Sequence, residues 1–360
     1  MGDGSDAAAS PRPFPLRALS SVSLFRSLRA PALVSLAFAP SLVAQPAVDL
    51  HGLAYIDYAH RVLSAGDDEG TGSFDYRRIF LTADGALDDA FRMRLRLEAS
   101  GRSRTVQDRP SPFVKDAWVE WRYAASGHRA TLGLQQPPVA DLSESVWGYR
   151  SLDQTVLDRT GYRGFRDLGL RLDGPLAGAV SYVAMVGNGN GERPEDAGDR
   201  GKTIYGQLVV DPSGPFVAAL GGDVETEQPA GGVRQSSARV SGLVAAVAGR
   251  LRGGAEAYYV SGDPGTLVEM PADPGPSVRP DGVGGSVFGA LPLTARTALV
   301  ARYDYIDADA RRAGFRDHYV IAALAYQPAE AVRLLPTVLV AKRDGATAAV
   351  TARVTVEAHF

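Results

Sequence analysis

The sequence predicts an all-β chain that closes into a transmembrane antiparallel barrel of about 16 strands, with short periplasmic turns at one rim and long extracellular loops at the other. Three observations carry this reading. Period-two segments of roughly ten residues recur down the chain. The links between them alternate between short and long, and no stretch holds the roughly 18 uninterrupted apolar residues that a membrane helix needs.

The segments fall near residues 49–60, 74–84, 90–100, 112–123, 127–135, 164–173, 177–187, 202–211, 215–225, 236–246, 252–261, 281–291, 295–306, 317–327, 331–341 and 348–360. The third, FRMRLRLEAS, sets Phe91, Met93, Leu95 and Leu97 on one face and Arg92, Arg94 and Arg96 on the other. Apolar side chains toward lipid and guanidinium groups toward a watered lumen satisfy both faces at once. The fourth repeats the rule, with Ala117, Val119, Trp121 and Tyr123 outward and Asp116, Trp118, Glu120 and Arg122 inward. The sixth sets Leu168, Leu170 and Leu172 against Arg171 and Asp173, and the thirteenth sets Leu299, Ala301, Tyr303 and Tyr305 against Arg302 and Asp304. In the last strand Val350, Ala352, Val354, Val356, Ala358 and Phe360 share a face opposite Thr351, Arg353, Thr355, Glu357 and His359. A final strand ending in Phe360 is the kind of signal the barrel-assembly machinery reads. Tyr55, Trp121, Tyr123, Tyr258, Tyr303, Tyr305 and Phe360 lie near strand ends, where interfacial aromatic girdles belong.

The connections ADGALDD, AASG, GPLA, DPSG, VAGRL, LPLT and QPAE are short, whereas VLSAGDDEGTGS, GRSRTVQDRPS and GNGNGERPEDAGDRG are long and polar. An even strand count puts both chain ends at the short-turn rim. Ahead of the barrel, Arg26 and Arg29 precede the apolar stretch APALVSLAFAPSLVA, residues 30–44. It is too short and too interrupted by Pro31 and Pro40 to span a bilayer, so residues 1–44 read as a secretory signal peptide and 45–360 as the barrel domain.

Composition narrows the chemistry. With 45% hydrophobic and 22% charged residues the chain is one that folds. The absence of cysteine removes disulfides, thiolate metal sites and thiol nucleophiles. Lysine occurs only at 115, 202 and 342, so the basic charge is almost wholly arginine, and a net charge of -3 gives no footprint for nucleic acid. His51, His60, His128, His318 and His359 show neither metal-ligand spacing nor a triad order. No metal, cofactor or enzymatic role is expected.

The long connection of residues 136–163 lacks clean period two and is expected to fold into the lumen and narrow it. Trp147, Tyr149 and Leu152 are its candidate anchors on the inner wall, which leaves Asp141, Glu144, Arg150, Asp153, Asp158 and Arg159 for the eyelet. Acids on this loop opposite arginines on the wall would set up a transverse field. The wall candidates are Arg92, Arg94 and Arg96 by face, together with the pair Arg77 and Arg78. Adjacent strand residues point to opposite faces, so only Arg78 is expected inside unless a bulge intervenes. Arginine suits small oxyanions because its planar fork is always charged and bidentate. The alternative is simple pairing across the wall with Glu98, Asp116 and Glu120.

The run DYRRIFLTADGALDDAFRMRLRLE, residues 75–98, resembles a hairpin of the phosphate-selective porin O and P family: a paired arginine, an apolar strand, a Gly-containing turn with Asp-Asp, and a strand alternating Arg with apolar residues. VLDRTGYRGFRDLGLRLDG (156–174) and MVGNGNGE (185–192) are similar to later segments of that family. The resemblance implies a trimeric outer-membrane porin in which Arg77, Arg78 and their neighbours bind phosphate or polyphosphate. Its partners would be outer-membrane lipid and lipopolysaccharide, small anionic solutes and two further copies of the chain. A general diffusion porin without phosphate selectivity is the alternative, and an outer-membrane barrel hydrolase a more distant one.

Overall fold

The computed structural model describes residues 48–64, 66–101, 111–161, 164–193, 201–211, 214–227, 235–262 and 281–360; residues 1–44, read as a signal peptide, lie outside them. Among the described residues the strands are β1 (Val48–Leu63), β2 (Gly72–Ala86), β3 (Phe91–Ser100), β4 (Phe113–Arg122), β5 (Arg129–Gln135), β6 (Asp167–Ala177), β7 (Val180–Gly187), β8 (Lys202–Val210), β9 (Phe216–Glu227), β10 (Gln235–Ala248), β11 (Leu251–Ser261), β12 (Gly282–Pro292), β13 (Thr297–Asp307), β14 (Arg316–Ala329), β15 (Val332–Arg343) and β16 (Ala349–His359). Each pairs antiparallel with its neighbours in sequence, and β1 pairs with β16, so the sheet closes and leaves no edge. Two short helices, α1 (Pro138–Trp147) and α2 (Val156–Thr160), interrupt the link between β5 and β6.

Closure is completed by the last residue. Gly52 N–H donates to the Phe360 carbonyl at 2.6 Å and Phe360 N–H donates back to Gly52 at 3.1 Å. The Phe360 ring lies over Gly52, in space that any side chain on residue 52 would occupy. The outer face carries the apolar set that alternation demands, including Leu50, Ile56, Leu81, Leu95, Val119, Leu132, Leu170, Leu220, Val244, Val287 and Leu299, all exposed. At the short-turn rim Phe91, Trp121, Tyr123, His128 and Tyr182 form an unbroken aromatic run with ring centroids 5.6–6.1 Å apart. Tyr55 and Tyr258 do not join such a girdle. Both point inward and are buried, at 5% and 3% exposure, because each shares its strand face with an inward acid, Asp57 and Glu256.

Two β-bulges alter the inner face. The pairing of β1 with β2 jumps from Tyr55–Arg78 to Ile56–Tyr76, so Arg77 is the extra residue. The pairing of β3 with β4 jumps from Arg96–Asp116 to Leu97–Val114, so Lys115 is extra. An extra residue resets alternation, and two consecutive side chains then face one way. Arg77 and Arg78 therefore both turn into the lumen, which corrects the expectation that only Arg78 would.

The inner wall is not uniformly polar. From β10 to β15 it presents Leu243, Ala245, Phe288, Ala290, Ala298, Val300, Ile321, Ala323, Leu335 and Leu339, all buried, and Val146, Trp147, Tyr149 and Leu152 pack onto them. A second cluster joins Val139, Val156 and Leu157 to Tyr258, Val260 and Ile306. The hydrophobic core of this barrel thus lies inside it, between the β5–β6 connection and the far wall.

Gly133 in β5 has φ 137°, a region L side chains avoid, and a Cβ there would come within 2.6 Å of the Trp118 backbone. Gly133→Ala is expected to destabilise the barrel by about 1–3 kcal/mol, measured as a lower urea midpoint for the protein folded into lipid vesicles.

Candidate pore constriction

The β5–β6 connection enters the lumen because its own sequence builds two capped helices with apolar sides. Pro138 starts α1 where a missing N–H costs nothing, and Gly148 ends it in the left-handed conformation with φ 64°. Thr155 caps α2 by accepting from Asp158 N–H at 3.4 Å, and Gly161 ends it with φ 65°. α1 lies along the inside of β7–β11 and α2 against β12.

Polar contacts fix the segment at its margins. Ser143 Oγ donates to the buried Glu256 carboxylate of β11 at 2.6 Å. Trp147 Nε1 donates to the Asp153 carbonyl at 2.9 Å, which closes the turn between the helices. The Tyr319 hydroxyl donates to the Asp153 carboxylate, and the Arg159 guanidinium lies 3.5 Å from the centre of the Tyr319 ring. Asp153 and Arg159 therefore also anchor the loop on β14. Arg77 donates to the Ser151 carbonyl while its Nε reaches Asp57 at 2.7 Å, and Arg353 of β16 donates to the Leu152 carbonyl. Arg77 and Arg353 clip the loop to the wall.

The remaining charged side of the segment holds Asp141, Glu144, Arg150 and Asp158. Arg150 pairs with Asp158 and, at 3.5 Å, with Glu144. Asp141 is half exposed and lies 3.1 Å from Arg171 of β6. The wall from β2 to β6 carries several groups of ion pairs. Arg78 lies 3.6 Å from Glu98, which also meets Lys115 at 3.3 Å. Lys115 in turn pairs with Glu192 from the turn after β7. Arg94 forks onto Asp84 at 2.7 and 2.8 Å and lies 5.6 Å from the Trp118 ring centre. Arg96 shares Asp116, at 3.2 Å, with the buried Arg166, and donates to Thr82 at 2.9 Å. Arg129 reaches Asp173 at 2.8 Å. Arg92 is exposed near the short-turn rim and has no ion pair among the described residues.

Face parity places Arg92, Arg94 and Arg96 on one inner stripe. It missed the clip formed by Arg353, the part played by Arg166 and the inward turn of Lys115. Lys115 follows from a bulge, which leaves no mark in an alternating pattern, and Arg166 stands just before its strand, where parity has no meaning.

No protein-family model matches the chain, and a comparison with curated proteins finds no match. Solved structures do resemble it. The anion-selective porin from Comamonas acidovorans superposes with a TM-score of 0.66 at 12% identity, over 88% of this chain and 100% of that one. The outer membrane channel DcaP of Acinetobacter baumannii gives 0.62 at 15% identity, over 88% and 98%. A trimer form of OmpT, an outer membrane protein of Vibrio cholerae, gives 0.58 at 13% identity, over 88% and 99%. With its closed sheet, apolar outer band and alternating rims, the chain has the fold of the bacterial outer-membrane porins, and the outer membrane is where such a barrel resides.

Proposed function

We propose that the chain is a passive porin whose water-filled passage runs between the β2–β6 wall and the charged side of α1 and α2, and that small anions are the solutes it favours. The observation that carries this is a stripe of Arg78, Arg96 and Arg94 down the β2–β3 wall, with Arg171 of β6 meeting Asp141 of the loop and Arg150 on the loop itself. Fixed guanidinium groups offer an anion bidentate, charge-assisted hydrogen bonds in place of its hydration shell. Each of these arginines also shares a carboxylate, so binding is weak enough to release the ion and conduction is favoured over capture. That pairing supports the second reading as well, a diffusion porin without specific affinity for phosphate. The field between Asp141, Glu144 and Asp158 on the loop and the arginines of the wall orients polar solutes across the passage. We read residues 1–44 as the export signal, lipopolysaccharide as the outer-leaflet surrounding, Phe360 as the assembly signal and a homotrimer as the working state.

The test is the reversal potential in a planar bilayer under a KCl gradient, followed by block with added phosphate. Anion preference is expected, with Arg78→Ala shifting the reversal potential toward cations. Low-concentration phosphate block that Arg78→Ala relieves would support the phosphate-selective form. Cation preference in the wild-type channel would overturn the anion reading.

A further inference from the structure

A second group of arginines lies apart from the passage, at the short-turn, periplasmic rim. A cavity of about 60 Å³ opens beneath the end of α1 and is lined by Gly148, Tyr149, Arg250, Arg252, Gln327 and Arg333 among others. Arg250 comes from the β10–β11 turn, Arg252 from β11 and Arg333 from the start of β15, so three arginines from separate parts of the wall line one small space.

The charges here are less compensated than those of the passage. Arg333 lies 3.4 Å from Glu357, a carboxylate that His359 also engages at 2.9 Å. Among the described residues Arg250 donates to carbonyls of the adjoining turn, Thr294 at 3.2 Å and Ala295. Arg252 donates long bonds to the carbonyls of Ser145 and Val146, at 3.5 and 3.3 Å, while its buried Nε has no partner among the described residues. Arg252 and Arg333 lie 5.9 and 5.2 Å from the centre of the Tyr149 ring, which holds both against the loop. Gly148 belongs to the same construction, because a side chain there would occupy the place of the Arg252 guanidinium. Arg252 and Arg333 stand over the same Tyr149 ring, so two like charges are neighbours here, and an anion between them would relieve their repulsion.

We propose that this cavity is an oxyanion site, taking a phosphate or a similarly compact phosphoryl group from the periplasmic side, separate from the conduction path. A bound oxyanion would accept from Arg250, Arg252 and Arg333 together and so tie the β10–β11 turn and β15 to the loop at Gly148 and Tyr149. The site is expected to steady the constriction from below.

Calorimetric titration of the detergent-solubilised barrel with inorganic phosphate and with tripolyphosphate at low salt tests this. Wild type is expected to bind saturably, Arg250→Gln/Arg333→Gln to bind at least tenfold more weakly, and Arg250→Lys/Arg333→Lys to recover most of the affinity. Arg250→Gln alone, a change at the half-exposed rim that leaves every strand pair in place, is expected to weaken binding measurably in a folded barrel. Arg78→Ala, which alters the passage, is expected to keep the binding that Arg250→Gln/Arg333→Gln removes, whatever it does to phosphate held in the passage. No saturable binding by wild type, or binding that Arg78→Ala abolishes and the Arg250 and Arg333 variants leave intact, would overturn the proposal. The anion preference of the passage would stand or fall separately, by the reversal potential.

Discussion

Deleting residues 141–158 and bridging the gap with a short Gly-Ser linker is expected to raise single-channel conductance several-fold. Residues 142–157 supply Val146, Trp147, Tyr149, Leu152, Val156 and Leu157 to the two interior clusters, so the deletion empties the region the segment fills. The barrel wall does not depend on it, since every strand keeps both neighbours through its own ladder. A single change should act in the same direction. Trp147 is 2% exposed and packs edge-on against Phe288 at 5.6 Å, so Trp147→Ala should weaken the docking by about 3–5 kcal/mol. Frequent transitions to a larger conductance would report the loosened loop. Unchanged conductance in the deletion variant would mean that the segment does not narrow the path.

The second large effect concerns stability. Asp304→Ala is expected to cost about 3–5 kcal/mol, because it strands a buried guanidinium. Arg302 Nε lies 2.8 Å from Asp304, their side chains are 1% and 0% exposed, and the Arg302 guanidinium lies 5.0 Å from the Trp147 ring centre. Losing the carboxylate leaves the guanidinium buried without its bidentate partner, with Glu256 and Asp153 as remaining counter-charges, and also removes the acceptor for Ser286 Oγ at 2.7 Å. Replacing both partners by apolar residues of similar volume, Arg302→Met with Asp304→Leu, should restore most of the loss. Urea unfolding from lipid vesicles measures both. A loss below about 1 kcal/mol for the single variant would show that water reaches the pair and screens it.

Much of this architecture is legible in sequence, and the reasons are physical. Lipid on one side and a closed, interior-facing surface on the other impose period two on strands such as FRMRLRLEAS, and the two rims impose alternating link lengths. Bulges escape the pattern because they are breaks in it: nothing near Arg77 or Lys115 distinguishes an extra residue from a change of face. The apolar inner wall left a visible trace that alternation alone does not interpret. In β15 the run LLPTVLV is nearly continuous, as strands covered on both faces are, and its inward members Leu335 and Leu339 meet the interior clusters. Tyr55 and Tyr258 were legible too, since each stands two residues from an acid that faces inward, and parity decides their side more firmly than nearness to a strand end. The clips made by Arg77 and Arg353 are different in kind. They end on backbone carbonyls of the loop, and a sequence does not encode where a loop's carbonyls come to rest.

The lack of native cysteine allows the route of the solute to be tested directly. In an Asp141→Cys variant the thiol would stand opposite Arg171, beside the passage, on a residue that is half exposed. Attaching a bulky thiol-specific group during single-channel recording is predicted to cut the current sharply, with neutral and charged reagents alike, and reductant should restore it. A current that continues unchanged through a quantitatively modified channel would mean that solute takes another route through the barrel.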